Sequence, residues 1–322
     1  MKRNTDNRVT IVMYHYVRDL ANSKYPEIKG LDLKIFYKHL DFIEKHFNVV
    51  TTEDVQAAVK SRKGGLPPNA VLLTFDDGYK DHYTNVFPAL KERGWQGSFF
   101  VPSKVLKDRV VLDVNKVHFI LASTPAEGLV REIFDLLDQY RKNGEDILPN
   151  QELYHNLAVP KRWDENETVF VKRILQQGVD ERIRAEIADI LFSKHVAIPE
   201  REFSEELYVN WEQIKEMKRN NMFFGLHGHG HYWLGKLLKE QVEEDIDRSL
   251  QYFGEIVDVD NWTMNYPYGS YNDDVIQVVK ERGCKIALAV ENRTCLTEDD
   301  NAYALPRIDA NDLMKSAAAK MV

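Results

Sequence analysis

The chain has 322 residues, a length sufficient for one barrel or two ordinary domains. Its content of 43% hydrophobic and 29% charged residues is typical of a soluble globular protein. Its 43 basic and 51 acidic residues give a net charge of −8, which argues against a nucleic-acid-binding protein because such proteins present a basic face. The first apolar run, at residues 9–12, is too short for a signal-peptide core or a membrane span. We therefore expect a cytoplasmic protein without stable membrane insertion.

Predicted strands and helices alternate in the first hundred residues of the chain. The predicted strands cover residues 9–14, 70–75 and 97–101, and the predicted helices cover 31–47 and 85–94. The strand at 70–75 runs into two adjacent carboxylates, Asp76 and Asp77, and Gly78 marks the turn that follows. Because two acids at the mouth of a strand repel each other, this pair needs a cation or a proton nearby.

Residues 104–206 differ from the rest of the chain because they are helical, highly charged and poor in strand signals. Amphipathic helices are predicted at 129–141 and 180–195. The segment is far longer than an ordinary connection. We interpret it as a helical insertion within one domain of residues 1–322, acting either as a stabilising cap or as a specificity lid that brings Lys116 or His118 toward a ligand.

The alternation of strands and helices resumes at Trp211. Helices are predicted at 211–219, 239–253, 273–282 and 311–320, and strands at 222–226, 262–266, 285–290 and 303–308. This order predicts a mostly parallel sheet closed as a (β/α) barrel. The active site of such a barrel lies at the C-terminal ends of its strands.

A second cluster of polar residues contains His227, His229 and His231. The spacing of His227 and His231 is the one that places two imidazoles on one face of a helical turn, and the glycines between them let the backbone bend. One carboxylate and these two imidazoles leave a position open for water, as in catalytic zinc sites. Carboxylate and imidazole ligands suit zinc, and they also suit cobalt, nickel and iron. Zinc is the default prediction. We do not predict His229 as a ligand.

These motifs resemble those of the polysaccharide deacetylases, carbohydrate esterase family 4. Residues 74–78, Thr-Phe-Asp-Asp-Gly, match the family's first motif. Residues 227–231 fit the second, His-(Ser/Thr)-x-x-His, although Gly228 replaces the hydroxyl residue. Residues 265–269 resemble the third, Arg-x-Pro-Tyr-Gly, with Asn265 in place of the arginine.

The resemblance covers residues 8–101 and 207–310 and implies an irregular (β/α)7 TIM-like barrel with a helical insertion. The first strand resembles that of a subset whose barrel is circularly rearranged. In this subset the acid-supplying histidine comes near the N-terminus, where this chain has His15. No histidine follows His231, so the ordinary position near the C-terminus is empty.

The activity that the resemblance implies is hydrolysis of the N-acetyl group of an amino sugar to a free amine and acetate. The sugar would belong to a glycan, a lipid-linked glycan or a nucleotide-sugar. By resemblance, Asp77, His227 and His231 bind the metal, which makes hydroxide available near neutral pH. Asp76 is then the base, and His15 protonates the leaving amine. An amide needs this proton because an amine anion is a very poor leaving group.

Two further residues complete the predicted site. A backbone N–H near Tyr268 would stabilise the oxyanion. Asn265 cannot supply the positive charge that the family's arginine places near the base. Arg307 ends a predicted strand and is our candidate to orient Asp76 from the other side of the site.

Two alternatives stay open at this point. Instead of an N-deacetylase, the chain could be a deformylase or another amide hydrolase of the same superfamily, or it could be a non-catalytic glycan-binding relative. The intact set of metal ligands favours a metal-dependent enzyme. The retained Asp76 argues against a pure binder, which has no use for an unliganded base beside a metal. The predicted partner is an acetylated amino-sugar substrate, and the oligomeric state is left open.

Overall fold

The computed structural model describes residues 6–62, 65–159 and 164–314. The chain forms two compact units. The first unit contains the chain up to Asp19, Gly30–Val110 and the chain from Glu205 onward, and the second contains Leu20–Lys29 and Val111–Ser204. The division of one domain into a barrel and an insertion at 104–206 stays a prediction.

The β-strands of the described residues all lie in the first unit. They are β1 (Arg8–Tyr14), β2 (Val17–Arg18), β3 (Leu31–Asp32), β4 (Asn48–Val49), β5 (Ala70–Asp76), β6 (Ser98–Val101), β7 (Phe223–Leu226), β8 (Thr263–Asn265), β9 (Ile286–Leu288), β10 (Cys295–Leu296) and β11 (Ile308–Asp309). The main sheet runs in the order β1-β5-β6-β7-β8-β9, and each neighbouring pair is parallel. This is the arrangement that the alternating pattern predicts.

A short extended segment closes this sheet into a barrel. Leu305 pairs in parallel with Leu288 of β9, and Ile308 pairs in parallel with Val12 of β1. The predicted strand at 303–308 is therefore present only as these two contacts. Pro306 lies between them and has no N–H to donate to a ladder, which explains the interruption. With this segment, seven extended elements of the described residues complete the circuit.

Helices follow most of the strands and cover the first unit, and the second unit is built from helices. In chain order they are α1 (Leu33–His46), α2 (Thr52–Ser61), α3 (Phe87–Glu92), α4 (Ser103–Lys107), α5 (Asp113–Ser123), α6 (Ala126–Lys142), α7 (Asn150–Leu157), α8 (Asn166–Arg173), α9 (Glu181–His195), α10 (Glu200–Leu207), α11 (Trp211–Arg219), α12 (Lys239–Phe253) and α13 (Asp273–Glu281). A π-helical turn, His82–Val86, leads directly into α3.

One face of β5 shows how the barrel core gives way to the site. Alternate residues of a strand share a face, so Leu72, Thr74 and Asp76 line up. Leu72 packs in an apolar cluster that also contains Phe100 and Leu288. Two residues further on, Thr74 is already polar, and Asp76 ends the strand fully buried. Apolar residues therefore fill the base of the barrel, and the chemistry-bearing residues lie at the C-terminal end.

The second unit has its own core and a buried charge. The rings of Phe119, Phe192 and Phe203 pack edge to face with centroids 4.7 Å and 5.2 Å apart. Lys116 of α5 is buried and pairs with Asp189 and Glu200, and all three line a cavity of the unit. A role of Lys116 or His118 as a ligand contact stays a prediction.

The last predicted helix lies only partly within the described residues. Residues 315–320 of the helix predicted at 311–320 lie outside the described residues, and the chain before them contains a 3-10 turn at Ala310–Asp312. None of the helices in the described ranges combines the length and the apolar composition needed to cross a bilayer.

Candidate metal centre and active site

The predicted site residues come together at one edge of the barrel. Asp76 is the last residue of β5, and His15 follows β1. His227 follows β7, Asn265 ends β8, and Arg307 directly precedes β11. Because the strands are parallel, their C-terminal ends meet, and side chains far apart in the sequence share one site.

The turn after β5 explains how two successive acids serve one site. Asp77 and Gly78 both adopt left-handed backbone conformations, with φ of 70° and 69°. The chain thus leaves the strand at once, and the two carboxylates do not alternate between faces as strand residues would. A Cβ on Gly78 would lie 2.5 Å from Val101 Cγ1, so only glycine fits the turn.

Asp77, His227 and His231 form a group able to hold a metal ion. All three are buried, and one ligand atom from each lies within 4.8 Å of the others. Asp77 Oδ1 is 3.3 Å from His227 Nε2 and 3.2 Å from His231 Nε2. Within the described part of the chain, this Oδ1 is buried without a hydrogen-bond donor. A divalent cation fits this arrangement of donor atoms.

The second nitrogen of His227 sets its tautomer. Nδ1 lies 3.1 Å from the backbone oxygen of Asn265. Since a carbonyl only accepts hydrogen bonds, Nδ1 must carry a proton, and in the neutral imidazole the lone pair is then on Nε2, the nitrogen that faces Asp77. This is the orientation that a metal-binding imidazole needs.

The histidines do not lie on a helix, so the helical interpretation of their spacing is wrong. They lie in an irregular loop after β7 in which Gly228 and His231 have φ of 69° and 57°. These left-handed residues reverse the chain and bring the two imidazoles within 4.8 Å, measured between ring centroids. The middle residue, His229, turns elsewhere, and its Nδ1 lies 2.8 Å from Ser103 Oγ.

Tyr79 forms a hydrogen bond with the second oxygen of the Asp77 carboxylate. Its hydroxyl donates to Asp77 Oδ2 over 2.5 Å. The ring is fully buried and stacks on Tyr16 with centroids 3.9 Å apart, so the hydroxyl is held rigidly. The motif pattern by itself gives Tyr79 no role, although its position directly after the first motif is a usable signal.

Asp76 has different partners from its neighbour. Arg307 Nη1 donates to Asp76 Oδ1 over 2.9 Å, and the amide nitrogen of Asn265 donates to the same oxygen. Burial raises the pKa of Asp76, but the charge of Arg307 and the nearby imidazole of His227 outweigh that effect and lower it overall. The carboxylate is therefore kept ionised beside the metal-ligand group.

Arg307 is buried in the barrel end, where its position is tightly determined. Besides Asp76, its guanidinium donates to the Ala289 carbonyl over 3.1 Å and to Thr74 Oγ1 over 3.2 Å. A buried cation in this place supplies the positive charge that Asn265 lacks. The contact exists as the sequence analysis anticipated, and its role in catalysis is part of the proposal below.

His15 lies near the carboxylate oxygen of Asp76 that Arg307 does not contact, and its side chain is more exposed than that of Arg307. Its Nε2 is 4.0 Å from Asp76 Oδ2, and its side chain is 42% exposed. The backbone of His15 is held by His82, whose Nε2 lies 2.9 Å from the His15 carbonyl oxygen. Burial lowers the pKa of His82 to about 4, so this imidazole is neutral and Nε2 is the donor. The sequence gave no signal that His82 would hold the backbone of His15, because a single histidine outside any motif has no distinctive pattern.

Tyr268 and Trp233 form an aromatic wall next to the metal-ligand group. Their rings are parallel within 3° and 4.3 Å apart, and Tyr268 packs edge-on against His231 with centroids 4.7 Å apart. Tyr268 also has a left-handed backbone, with φ of 59°. Such a conformation in a non-glycine residue is often found at functional sites.

The fold and the site define a barrel protein with a buried carboxylate–imidazole metal-ligand group at the C-terminal ends of its strands. A family model described as polysaccharide deacetylase matches residues 63–147 and 159–287, which is more than half of the chain. The chain belongs to the polysaccharide deacetylase family.

Curated relatives share low sequence identity with the chain. A poly-beta-1,6-N-acetyl-D-glucosamine N-deacetylase of Staphylococcus aureus is 24% identical over 182 residues, which cover 54% of this chain and 58% of that protein. One of the same name from Escherichia coli is 22% identical over 305 residues, covering 94% of this chain and 36% of that protein. The chain thus spans little more than half, or about a third, of their lengths.

Solved structures confirm the predicted barrel fold. The Streptococcus pyogenes deacetylase PplD, in complex with acetate, superposes with a TM-score of 0.58 at 16% identity, covering 96% of this chain and 97% of that chain. IcaB from Ammonifex degensii superposes with a TM-score of 0.57 at 18% identity, covering 98% and 97%. At these identities the likeness concerns the fold alone.

Proposed function

We propose that the protein is a metal-dependent N-deacetylase that hydrolyses the acetamide of an N-acetylated amino sugar to a free amine and acetate. The observation that carries this proposal is the division of labour between two adjacent carboxylates. Asp77 faces two imidazoles, whereas Asp76 is bound separately by Arg307 and Asn265. A binding protein needs no ionised carboxylate kept apart from the metal ligands.

The relatives suggest the first substrate to test. Two of them, from different bacteria, are named for deacetylation of poly-beta-1,6-N-acetyl-D-glucosamine. We therefore propose a polymer of N-acetylglucosamine as the substrate. The aromatic wall of Trp233 and Tyr268 supports a sugar ligand, since flat aromatic side chains pack well against sugar rings.

Asp77, His227 and His231 would hold the metal, which we propose to be zinc. When bound, zinc supplies a water of pKa about 7 and polarises the carbonyl that is attacked. Tyr79 keeps Asp77 Oδ2 occupied, so Oδ1 is the oxygen presented to the ion. The Nδ1 hydrogen bond of His227 to Asn265 keeps the opposite nitrogen free for coordination.

Asp76 would accept the proton of the attacking water. Its Oδ1 already accepts hydrogen bonds from Arg307 and Asn265, so Oδ2 is the oxygen that takes the proton. The guanidinium of Arg307 holds the carboxylate in place and lowers its pKa, which keeps it ionised before the reaction. We propose this orienting role for Arg307 in place of the arginine absent at position 265.

His15 would complete the reaction by protonating the leaving nitrogen. Cleavage of an amide C–N bond requires a proton on that nitrogen, because an amine anion is a very poor leaving group. The imidazole is half exposed and lies 4.0 Å from Asp76 Oδ2, so base and acid flank one position. A backbone N–H near Tyr268 is proposed to stabilise the oxyanion that forms between the two proton transfers.

The direct test measures acetate release from oligomers of β-1,6-linked N-acetylglucosamine by the full chain. We expect release that stops when a chelator removes the metal and returns when zinc is added. The Asp77→Asn variant should not recover with zinc, because it lacks the charged ligand. The N-formyl analogue of the oligomer serves as the competing substrate.

Each other outcome rejects a specific part of the proposal. Activity that survives complete removal of metal would exclude the metal-dependent mechanism. Formate release in preference to acetate would favour a deformylase. Oligomer binding without any turnover by the zinc-loaded protein would favour the glycan-binding alternative.

A further inference from the structure

The loop that carries the two histidine ligands is held by a carboxylate from outside the three sequence motifs. We propose that Asp245 of α12 is a positioning residue that shapes loop 227–231 for metal binding. This inference rests on the proposed function, because it assumes that Asp77, His227 and His231 hold a metal.

The Asp245 carboxylate binds the middle of the loop through both of its oxygens. Oδ2 accepts the backbone N–H of His229 over 2.9 Å, and Oδ1 accepts that of Gly230 over 2.7 Å. Asp245 is 4% exposed, so water does not compete effectively for these bonds. Two successive amides bound by one buried carboxylate define the local path of the chain.

The carbonyl side of the loop is bound by α4. The backbone N–H of Ser103 donates to the Gly228 carbonyl over 3.2 Å, and that of Lys104 donates to the His229 carbonyl over 3.1 Å. The loop therefore lies between α4 and α12. Residues 228–230 are restrained on both sides, and the two ligating imidazoles lie at the ends of this restrained segment.

The glycine at position 228 is explained by the same carboxylate. Gly228 has φ of 69°, and a Cβ built on it would lie 2.7 Å from Asp245 Oδ2. The space that a side chain would occupy is thus taken by the carboxylate of Asp245. A hydroxyl residue at position 228, which the second motif would have, is incompatible with this arrangement. Gly228 and Asp245 form a coupled pair.

The first test is the isosteric variant Asp245→Asn. Its amide keeps one acceptor oxygen but points an N–H₂ group at one of the two loop amides, so one hydrogen bond becomes a donor–donor contact. We expect the zinc affinity, measured by competition with a chromophoric chelator, to fall by about 10- to 100-fold, as for other residues that support metal ligands. The visible absorption of the cobalt-substituted protein should change in the same variant, because the geometry of the ligands changes.

Two variants on the same helix separate positioning from general stability. Asp247→Asn alters an exposed carboxylate that pairs with Arg282, and it should leave zinc affinity and the cobalt spectrum unchanged. Ile246→Val removes a methylene from a fully buried side chain of α12. It should lower the melting temperature of the metal-free protein without changing the cobalt spectrum.

A double-mutant cycle tests the coupling of Gly228 and Asp245. Gly228→Ala should weaken zinc binding strongly in the wild-type background, because its Cβ must displace the carboxylate. In the Asp245→Ala background the same change should have a smaller effect, since only the left-handed backbone then opposes it.

Three results would overturn the proposal. They are wild-type zinc affinity in Asp245→Asn, equal effects of Ile246→Val and Asp245→Asn on the cobalt spectrum, and strictly additive effects in the cycle. All of these measurements are made without substrate. A wild-type protein that binds zinc but releases no acetate would contradict the proposed function and leave this inference standing, whereas a wild type that binds no zinc would overturn both.

Discussion

The barrel end and the helical unit both bury charged side chains, but they balance the charge differently. In the helical unit, the Lys116 side chain is 7% exposed and its ammonium lies 2.5 Å from Asp189 and 2.8 Å from Glu200. The cation is thus neutralised within the unit. At the barrel end, Asp77 Oδ1 faces two imidazoles and, among the described residues, accepts no hydrogen bond.

This difference shows that burial of a charge does not by itself indicate a functional site. A buried ion with complete partners joins elements of the fold, as Lys116 joins α5 to α9 and α10. A cluster of lone pairs without an internal cation is incomplete, and an external ion is the simplest way to complete it. The following predictions test whether the two regions differ in this way.

Loss of the base should have the largest effect among the single substitutions. Asp76→Asn keeps the shape of the side chain but cannot accept the proton of water, so we expect the rate of acetate release to fall by about 10²- to 10⁴-fold. Zinc affinity should stay within a few-fold of wild type, because Asp76 is not in the ligand group. The matched control is Asp189→Asn in the helical unit, which should keep wild-type activity. Comparable losses in both variants would contradict the distinction between the regions.

Removal of the buried guanidinium should have the next largest effect. A hydrogen bond to a charged group contributes about 1.5–3 kcal/mol, so Arg307→Met should lower kcat by about 10- to 100-fold. Arg307→Lys keeps the charge, and its kcat should lie between those of the wild type and Arg307→Met. Arg282→Met, which breaks an ion pair with Asp247 at the edge of the fold, is the control. If Arg307→Met turns over substrate at the wild-type rate, Arg307 has no orienting role.

Removal of the Tyr79 hydroxyl, which donates to the proposed metal ligand Asp77, should have a smaller effect. Tyr79→Phe frees Asp77 Oδ2, and we expect zinc affinity to fall by about tenfold, at the lower end for groups that support a ligand. Tyr83→Phe is a matched control, because its hydroxyl donates to Glu216 away from the ligand group. Equal zinc affinities in the two variants would show that Asp77 does not need this bond.

The smallest effect on metal binding should come from the helical unit. Lys116→Met removes the cation but leaves Asp189 and Glu200 partly hydrated, so we expect a loss of about 1–2 kcal/mol of stability and no change in zinc affinity. Burial lowers the pKa of Lys116, but its two carboxylate partners raise it overall. The stabilisation is therefore complete below the unfolded-state pKa of about 10.4 and lost as pH rises above it.

Urea unfolding of the wild type and Lys116→Met at several pH values checks this prediction. The difference in unfolding free energy should be the same at pH 7 and pH 9 and should shrink near pH 11, on the scale of the lysine pKa of about 10.4. A difference that persists undiminished above this range would mean that packing of the side chain, rather than its charge, stabilises the unit.

Local sequence patterns determined the elements of the barrel well. The strand predicted at 70–75 is β5, and the helix predicted at 239–253 is α12 with the same limits. The reason is physical: continuous apolar runs bounded by glycine or proline are suited to buried strands, and a 3.6-residue period of apolar residues creates one buried helix face. The sequence could also name Asp77, His227 and His231, which the structure brings together, because short motifs are local.

Only the tertiary structure decided which distant groups meet. The contact of Arg307 with Asp76 joins residues 231 positions apart. The two hydrogen bonds that Asp245 accepts from backbone N–H groups join α12 to the histidine loop. The same holds for the non-helical path of that loop, where the local spacing favoured the wrong conformation. Sequence periodicity records whether a side chain is buried. It does not record which strand ends converge, because that depends on the closure of the whole barrel.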